Sequence, residues 1–105
     1  MTKVITGAGI APDEIGVGEV HEAFAAQALR VLRKPSAQFE GFEVPDDRLN
    51  LNGGAVAVGH PFGASGTRYL LTLAITIREQ AASYGVLGVS GSRQGVAVLL
   101  ENDQA

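Results

Sequence analysis

With 105 residues, 46% of them hydrophobic and 18% charged, the chain has the make-up of one folded domain, too short for two cores and too apolar for disorder. A formal net charge of −3, with the basic residues scattered except for Arg30, Arg33 and Lys34, argues against a nucleic-acid partner. The absence of cysteine excludes a disulfide framework and a cysteine nucleophile on this chain, and two histidines are too few for the usual structural zinc site, so no metal is expected.

No apolar run reaches the roughly 18 residues of a membrane span. The opening MTKVITGAGI lacks the basic-then-apolar layout of a secretion signal, so a cytoplasmic protein without membrane contact is the expectation. Residues 9–13, GIAPD, read as a turn, and Ile15 to Val20 alternates apolar and small residues as a short strand does. Good helix formers then run from Glu22 to Leu32, with Phe24, Ala28, Val31 and Leu32 on one face. This helix is expected to stop before Pro35, because the residue preceding a proline is pushed away from helical dihedrals. Residues 35–50 carry two prolines, a glycine and several acids, and read as an irregular surface excursion pinned by Phe39, Phe42 and Val44.

From Ser65 to Glu79, Leu70, Leu73, Ala74 and Ile77 share a helical face that Leu71 and Ile75 widen, which predicts a helix inside the structure. Ser65 is placed to cap it, its hydroxyl accepting from an early helix amide. Two β-branched-rich runs, Val86 to Val89 and Val96 to Leu100, flank the polar and glycine residues Ser90 to Gly95 and predict a closing hairpin. The run VAVLL is apolar at every position, as in a strand covered on both faces. Alternating strands and helices of this kind imply an α/β layered architecture.

Three stretches have the residue types for chemistry. Residues 52–66, NGGAVAVGHPFGASG, place five glycines and Pro61 around His60. Glycine permits dihedrals closed to other residues, and proline fixes the direction in which the chain leaves the histidine. Ser65 and Gly66 then open a helix whose free N–H groups favour a polarised oxygen. A tight loop that presents an imidazole there suits acid/base or oxyanion chemistry, whereas a turn histidine without function is the bland alternative. The second stretch, His21, Glu22, Ala23 and Phe24, lies where a strand hands over to a helix, and reads equally as a capping arrangement with Glu22 near the positive helix end. The third is the turn Ser90 to Gly95, where Gly91 offers an exposed amide. A phosphate loop does not fit, because no lysine followed by Ser or Thr comes after the last glycine and GxGxxG is absent.

Taken in order, these stretches resemble the thiolase superfamily. HEAFAAQALRVL looks like its Asn-Glu-Ala-Phe or His-Glu-Ala-Phe motif, and LNLNGGAVAVGHPFGASGTRYLLTL like its Gly-His-Pro segment. YGVLGVSGSRQGVAVLLE looks like the closing hairpin, whose turn normally carries Cys-x-Gly. The resemblance covers roughly Gly9 to Glu101 and implies a thiolase-like layered fold. It makes residues 1–105 an incomplete C-terminal half with a mixed sheet, two main helices and a closing hairpin. It further implies that His60 helps activate a nucleophilic cysteine and donates to a thioester oxygen, that His21 completes that oxyanion site through a water, and that the Gly91 amide serves a second one. No permanently bound cofactor is implied, and a coenzyme A thioester is the substrate.

Two departures qualify what is carried over. The family's nucleophilic cysteine belongs to an N-terminal half that this sequence does not include, and its acid/base cysteine in the closing turn falls on Ser90 when counted forward from His60, or on Val89 when counted back from Gln94 and Gly95. A serine is a poor base for a proton beside a thioester carbonyl, and a valine is none. Arg93 stands where the family has glycine. The family's C-terminal domain also opens with a strand and most of a helix before the segment that matches TKVITGAGIAP. The expectation is therefore a small subunit that acts in a hetero-oligomer with a larger thiolase-like chain, or a truncated product. The alternative is a non-catalytic module that keeps the fold for assembly or ligand binding.

Overall fold

The computed structural model describes residues 1–38, 44–91 and 93–104, with side chains described for all of these except 34–38. One mixed sheet has the strand order β1-β2-β3, formed by β1 (Ile15–Val20), β2 (Tyr84–Ser90) and β3 (Gly95–Glu101). The first pair is parallel and the second antiparallel, with Ser90 opposite Gly95 at the hairpin turn. A parallel pair needs a crossover. Here it contains α2 (Ala25–Gln38), the single turn α3 (Ala55–Val58) and α4 (Ser65–Glu79), while α1 (Thr2–Ala8) precedes the sheet.

Two apolar clusters hold the layers together. On one face Val17, Tyr69, Leu73, Ile77 and Leu87 close the sheet against α4. On the other, Ile5, Ile15 and Val86 gather beneath α1, with Val44 at the margin. Ile15 and Val17 fall in opposite clusters although they are two apart on one strand, because the pairing of β1 with β2 slips between them. An extra residue in a strand inverts its alternation. Beyond the slip, Val17, Glu19 and His21 line up on the α4 face.

Several expectations change. The second helix begins at Ala25, not Glu22, and runs through Pro35 to Gln38. The fixed φ of proline is itself helical, so what the helix gives up there is the one bond that an N–H would have made to the carbonyl four residues earlier. The expected excursion shrinks accordingly: residues 35–38 are helical, a 3₁₀ turn occupies Asp46–Arg48, and Phe39 and Phe42 lie outside the described residues. Val44 does pack, against the cluster under α1. Two short helices, α1 and α3, lacked the length for a periodic signal; α1 ends on Gly9 at φ 69. The bounds of α4 match the expectation, but Leu71 and Ile75 are exposed, because the sheet covers only the side that carries Tyr69, Leu73 and Ile77. β3 is likewise an edge strand that leaves Val96 exposed, not a strand covered on both faces.

Candidate active site

β1 delivers His21 to the end of the sheet. Its N–H donates to the Gly88 carbonyl at 2.9 Å, one step beyond the Val20–Gly88 pair, so the ladder holds the histidine backbone. The ring is 4% exposed and meets Tyr69 edge-on at 5.5 Å between centroids. His60 arrives from α3 through Gly59, whose φ of 89 lies in the region that favours glycine. Its exposed ring stands 4.3 Å from that of His21, tilted by 51°, with Phe62 edge-on at 4.8 Å. The two histidines singled out in the sequence therefore meet.

The loop that carries His60 is anchored at its root. The Ala55 N–H donates to the Tyr69 hydroxyl at 2.7 Å and the Val56 N–H to Glu22 Oε2 at 3.1 Å, so the first turn of α3 is tied to α4 and to the residue after His21. Gly54 is buried at this junction, and a Cβ there would overlap the Glu22 carboxylate. Glu22 thus accepts from the Val56 amide of α3, not from the start of the helix that follows it in sequence.

Ser65 is not the N-cap of α4; that position is Ala64. Its buried hydroxyl turns back, donates to the Pro61 carbonyl at 3.2 Å and lies 2.6 Å from His60 Nδ1. A hydroxyl has one proton and two lone pairs. When its proton goes to Pro61 the hydroxyl accepts from Nδ1–H, and that is the His60 tautomer in which Nε2 keeps its lone pair.

Two residues before His21 on β1 stands an unusual carboxyl. Glu19 is fully buried, and among the described residues no group hydrogen-bonds either of its oxygens. Burial, followed by the nearby Glu22 charge, raises its pKa to about 7. His21 moves the other way: burial first, then His60 and Arg68, lower its pKa, with Glu22 opposing, so the neutral imidazole is favoured. Sequence reasoning passed over Glu19 and Tyr69. The period of two along β1 could have placed Glu19 on the His21 face.

Val89 packs with the α4-side cluster and flanks His21 in the register, whereas Ser90 points to the opposite face and its hydroxyl accepts from Gln27 Nε2. The Gly91 N–H is engaged by the Gln94 carbonyl at 2.7 Å. Of the four sequence candidates, His21 and His60 bring their rings together, while the Ser90 hydroxyl and the Gly91 N–H are engaged by Gln27 and Gln94. Among the described residues, no helix is long and apolar enough to cross a membrane, and no cluster of three or more His, Cys, Asp or Glu has the arrangement to hold a metal ion.

Residues 1–102 match the family model described as "Thiolase, C-terminal domain". The chain belongs to the thiolase family. It is 40% identical over 103 residues to a 3-ketoacyl-CoA thiolase of Pseudoalteromonas translucida and 43% identical over 101 residues to one of Vibrio cholerae, matches that take in 97% and 94% of this chain. The match spans 25% of the length of each of these relatives. Among solved structures, human mitochondrial 3-ketoacyl-CoA thiolase in complex with CoA superposes with a TM-score of 0.82 at 34% identity, covering 95% of this chain and 24% of that one. A second human mitochondrial thiolase structure gives 0.79 at 35% identity, over 92% of this chain and 23% of that one. The mixed three-stranded sheet with its helices is therefore a thiolase-like fold, corresponding to a C-terminal part of those chains.

Proposed function

We propose that residues 1–105, as a partial thiolase C-terminal domain, supply one half of a site for acyl transfer to or from coenzyme A. The other half, with a nucleophilic cysteine, comes from a larger thiolase-like chain in a cytoplasmic hetero-oligomer of lipid metabolism. The observation that carries this reading is the His21–His60 pair at 4.3 Å, with the Nδ1 proton of His60 directed to Ser65 and Nε2 left free. A free Nε2 accepts the thiol proton as the thiolate attacks the thioester carbonyl. The imidazolium so formed then donates from the same nitrogen to the developing oxyanion, worth several kcal/mol in a preorganised site. Neutral His21 stands beside it as a second polar group. The substrate is a coenzyme A thioester, a reading supported by the CoA named in the human mitochondrial complex, and no permanently bound cofactor takes part.

Val89 beside His21 has no proton to exchange, and Ser90 faces away. This favours acyl transfer or thioester hydrolysis over carbon–carbon bond formation, unless the partner supplies the base. The second reading, a non-catalytic module that retains the fold, draws on the Gly91 amide being engaged by Gln94 rather than open to a ligand. The chain is mixed with the N-terminal half of a 3-ketoacyl-CoA thiolase, and thiol release from acetyl-CoA and acetoacetyl-CoA is followed. Turnover abolished by His60→Ala supports the catalytic reading. Turnover indifferent to that change, or a folded complex that binds no acyl-CoA by calorimetry, refutes it and favours the module.

A further inference from the structure

Among the described residues β1 has a strand neighbour on one side, β2, so its other edge presents backbone donors and acceptors that need partners. Just before His21 those partners come from one residue. The Asn50 N–H donates to the Gly18 carbonyl at 2.9 Å, the Val20 N–H donates to Asn50 Oδ1 at 2.8 Å, and Asn50 Nδ2 donates to the Val20 carbonyl at 3.0 Å. Leu49 adds a parallel bridge to Gly18. A carboxamide has the donor and the acceptor of a peptide group, so the Asn50 side chain extends the ladder where the main chain turns away.

The turn itself also selects asparagine. Asn50 has φ 47, a left-handed conformation that Asn tolerates better than most residues, and its carbonyl accepts from the Gly53 N–H at 2.9 Å, starting the bend toward α3 and His60. One residue thus grips the end of the His21 strand and opens the segment that carries His60. We propose that Asn50 is a positioning residue for the histidine pair: its carboxamide, acting as a surrogate strand, fixes the end of β1 and His21 against the His60 segment. Alanine would leave the Val20 N–H and carbonyl without this partner, and aspartate would keep the acceptor while losing the donor. The inference rests on the two histidines being the working pair, but its test reads geometry without turnover, so the two ideas fail separately.

The experiment is NMR on the isotope-labelled chain, comparing wild type, Asn50→Ala and Asn50→Asp. The control is Asn102→Ala, which removes bonds of 3.2 and 3.4 Å to the Ala82 and Ile77 carbonyls, remote from the histidines. In Asn50→Ala the nuclear Overhauser contact between the two imidazoles should fall at least about twofold. The His21 titration should rise toward the ordinary histidine range as the strand end opens to water, although His60, Arg68 and Glu22, the groups that face it, are unchanged. Asn50→Asp should lie between, and Asn102→Ala should lower the melting temperature while leaving both readouts in place. Unmoved readouts in Asn50→Ala, or equal movement in Asn102→Ala, overturn the proposal. Wild type provides a check that needs no variant: the Val20 amide should exchange at least about tenfold more slowly than a free amide, and exchange at the free rate overturns it.

Discussion

Glu19→Gln separates the electrostatics of the site from its packing, because it keeps the shape of a fully buried side chain and removes its titration. The carboxyl releases its proton near 4.5 in the unfolded chain and at about 7 in the folded one. The folded value is the higher, so the stability conferred by the neutral acid is complete below pH 4.5 and is lost as the pH rises toward about 7. At about 1.4 kcal/mol per pH unit the loss amounts to about 3 kcal/mol. His21 has the opposite sign: its folded value is lowered, so stability is present above the ordinary histidine pKa and lost as the pH falls below it. Since His21 is common to both proteins, the difference between them isolates Glu19. Urea unfolding followed by circular dichroism should show that difference smallest at about pH 4 and grown by about 3 kcal/mol in favour of glutamine at about pH 8. A difference that stays flat across this range would refute the assignment of Glu19 as a buried acid with no hydrogen-bond partner among the described residues.

Two further substitutions probe the His60 loop. In the wild-type chain, nitrogen shifts should show His60 with Nδ1 protonated and Nε2 bare; Ser65→Ala should mix the tautomers and Ser65→Thr should restore the single form, whereas an Nε2–H tautomer in wild type contradicts the network at Ser65. Gly54→Ala should lower stability by about 1–3 kcal/mol, since its methyl displaces the Glu22 carboxylate and crowds the Tyr69 hydroxyl that anchor α3, and an unchanged melting curve would show that the junction has room.

The elements that were legible in the sequence are those whose pattern is local. Ile15 to Val20 and Ser65 to Glu79 emerge with their expected bounds, and the hairpin closes where two apolar runs flank Ser90 to Gly95. Length limited α1 and α3, which are too short to show a period. Pro35 misled because a rule about the residue before proline is a bias that an otherwise helical segment overrides. At the site, His21 and His60 were legible from their motifs, but Ser65 read as a helix cap, when its hydroxyl instead bonds backward to Pro61 and holds the imidazole. In the closing turn the sheet sets Val89 beside His21 and turns Ser90 to Gln27, a placement that local pattern does not carry.

By itself, the sequence determined the strand and helix periods, the glycine and proline constraints around His60 and the absence of a cysteine, since each depends on residue type and on neighbours a few bonds away. Only the tertiary structure decided which groups meet. The slip in the β1–β2 pairing sets Val17, and with it the line that leads to Glu19 and His21, on the α4 face, and the grip of Asn50 on Val20 ties that strand to the His60 segment. A hydrogen-bond partner or a buried neighbour contributed by a distant stretch of chain leaves no trace in local periodicity, so burial, protonation and the pairing of the two histidines follow from packing.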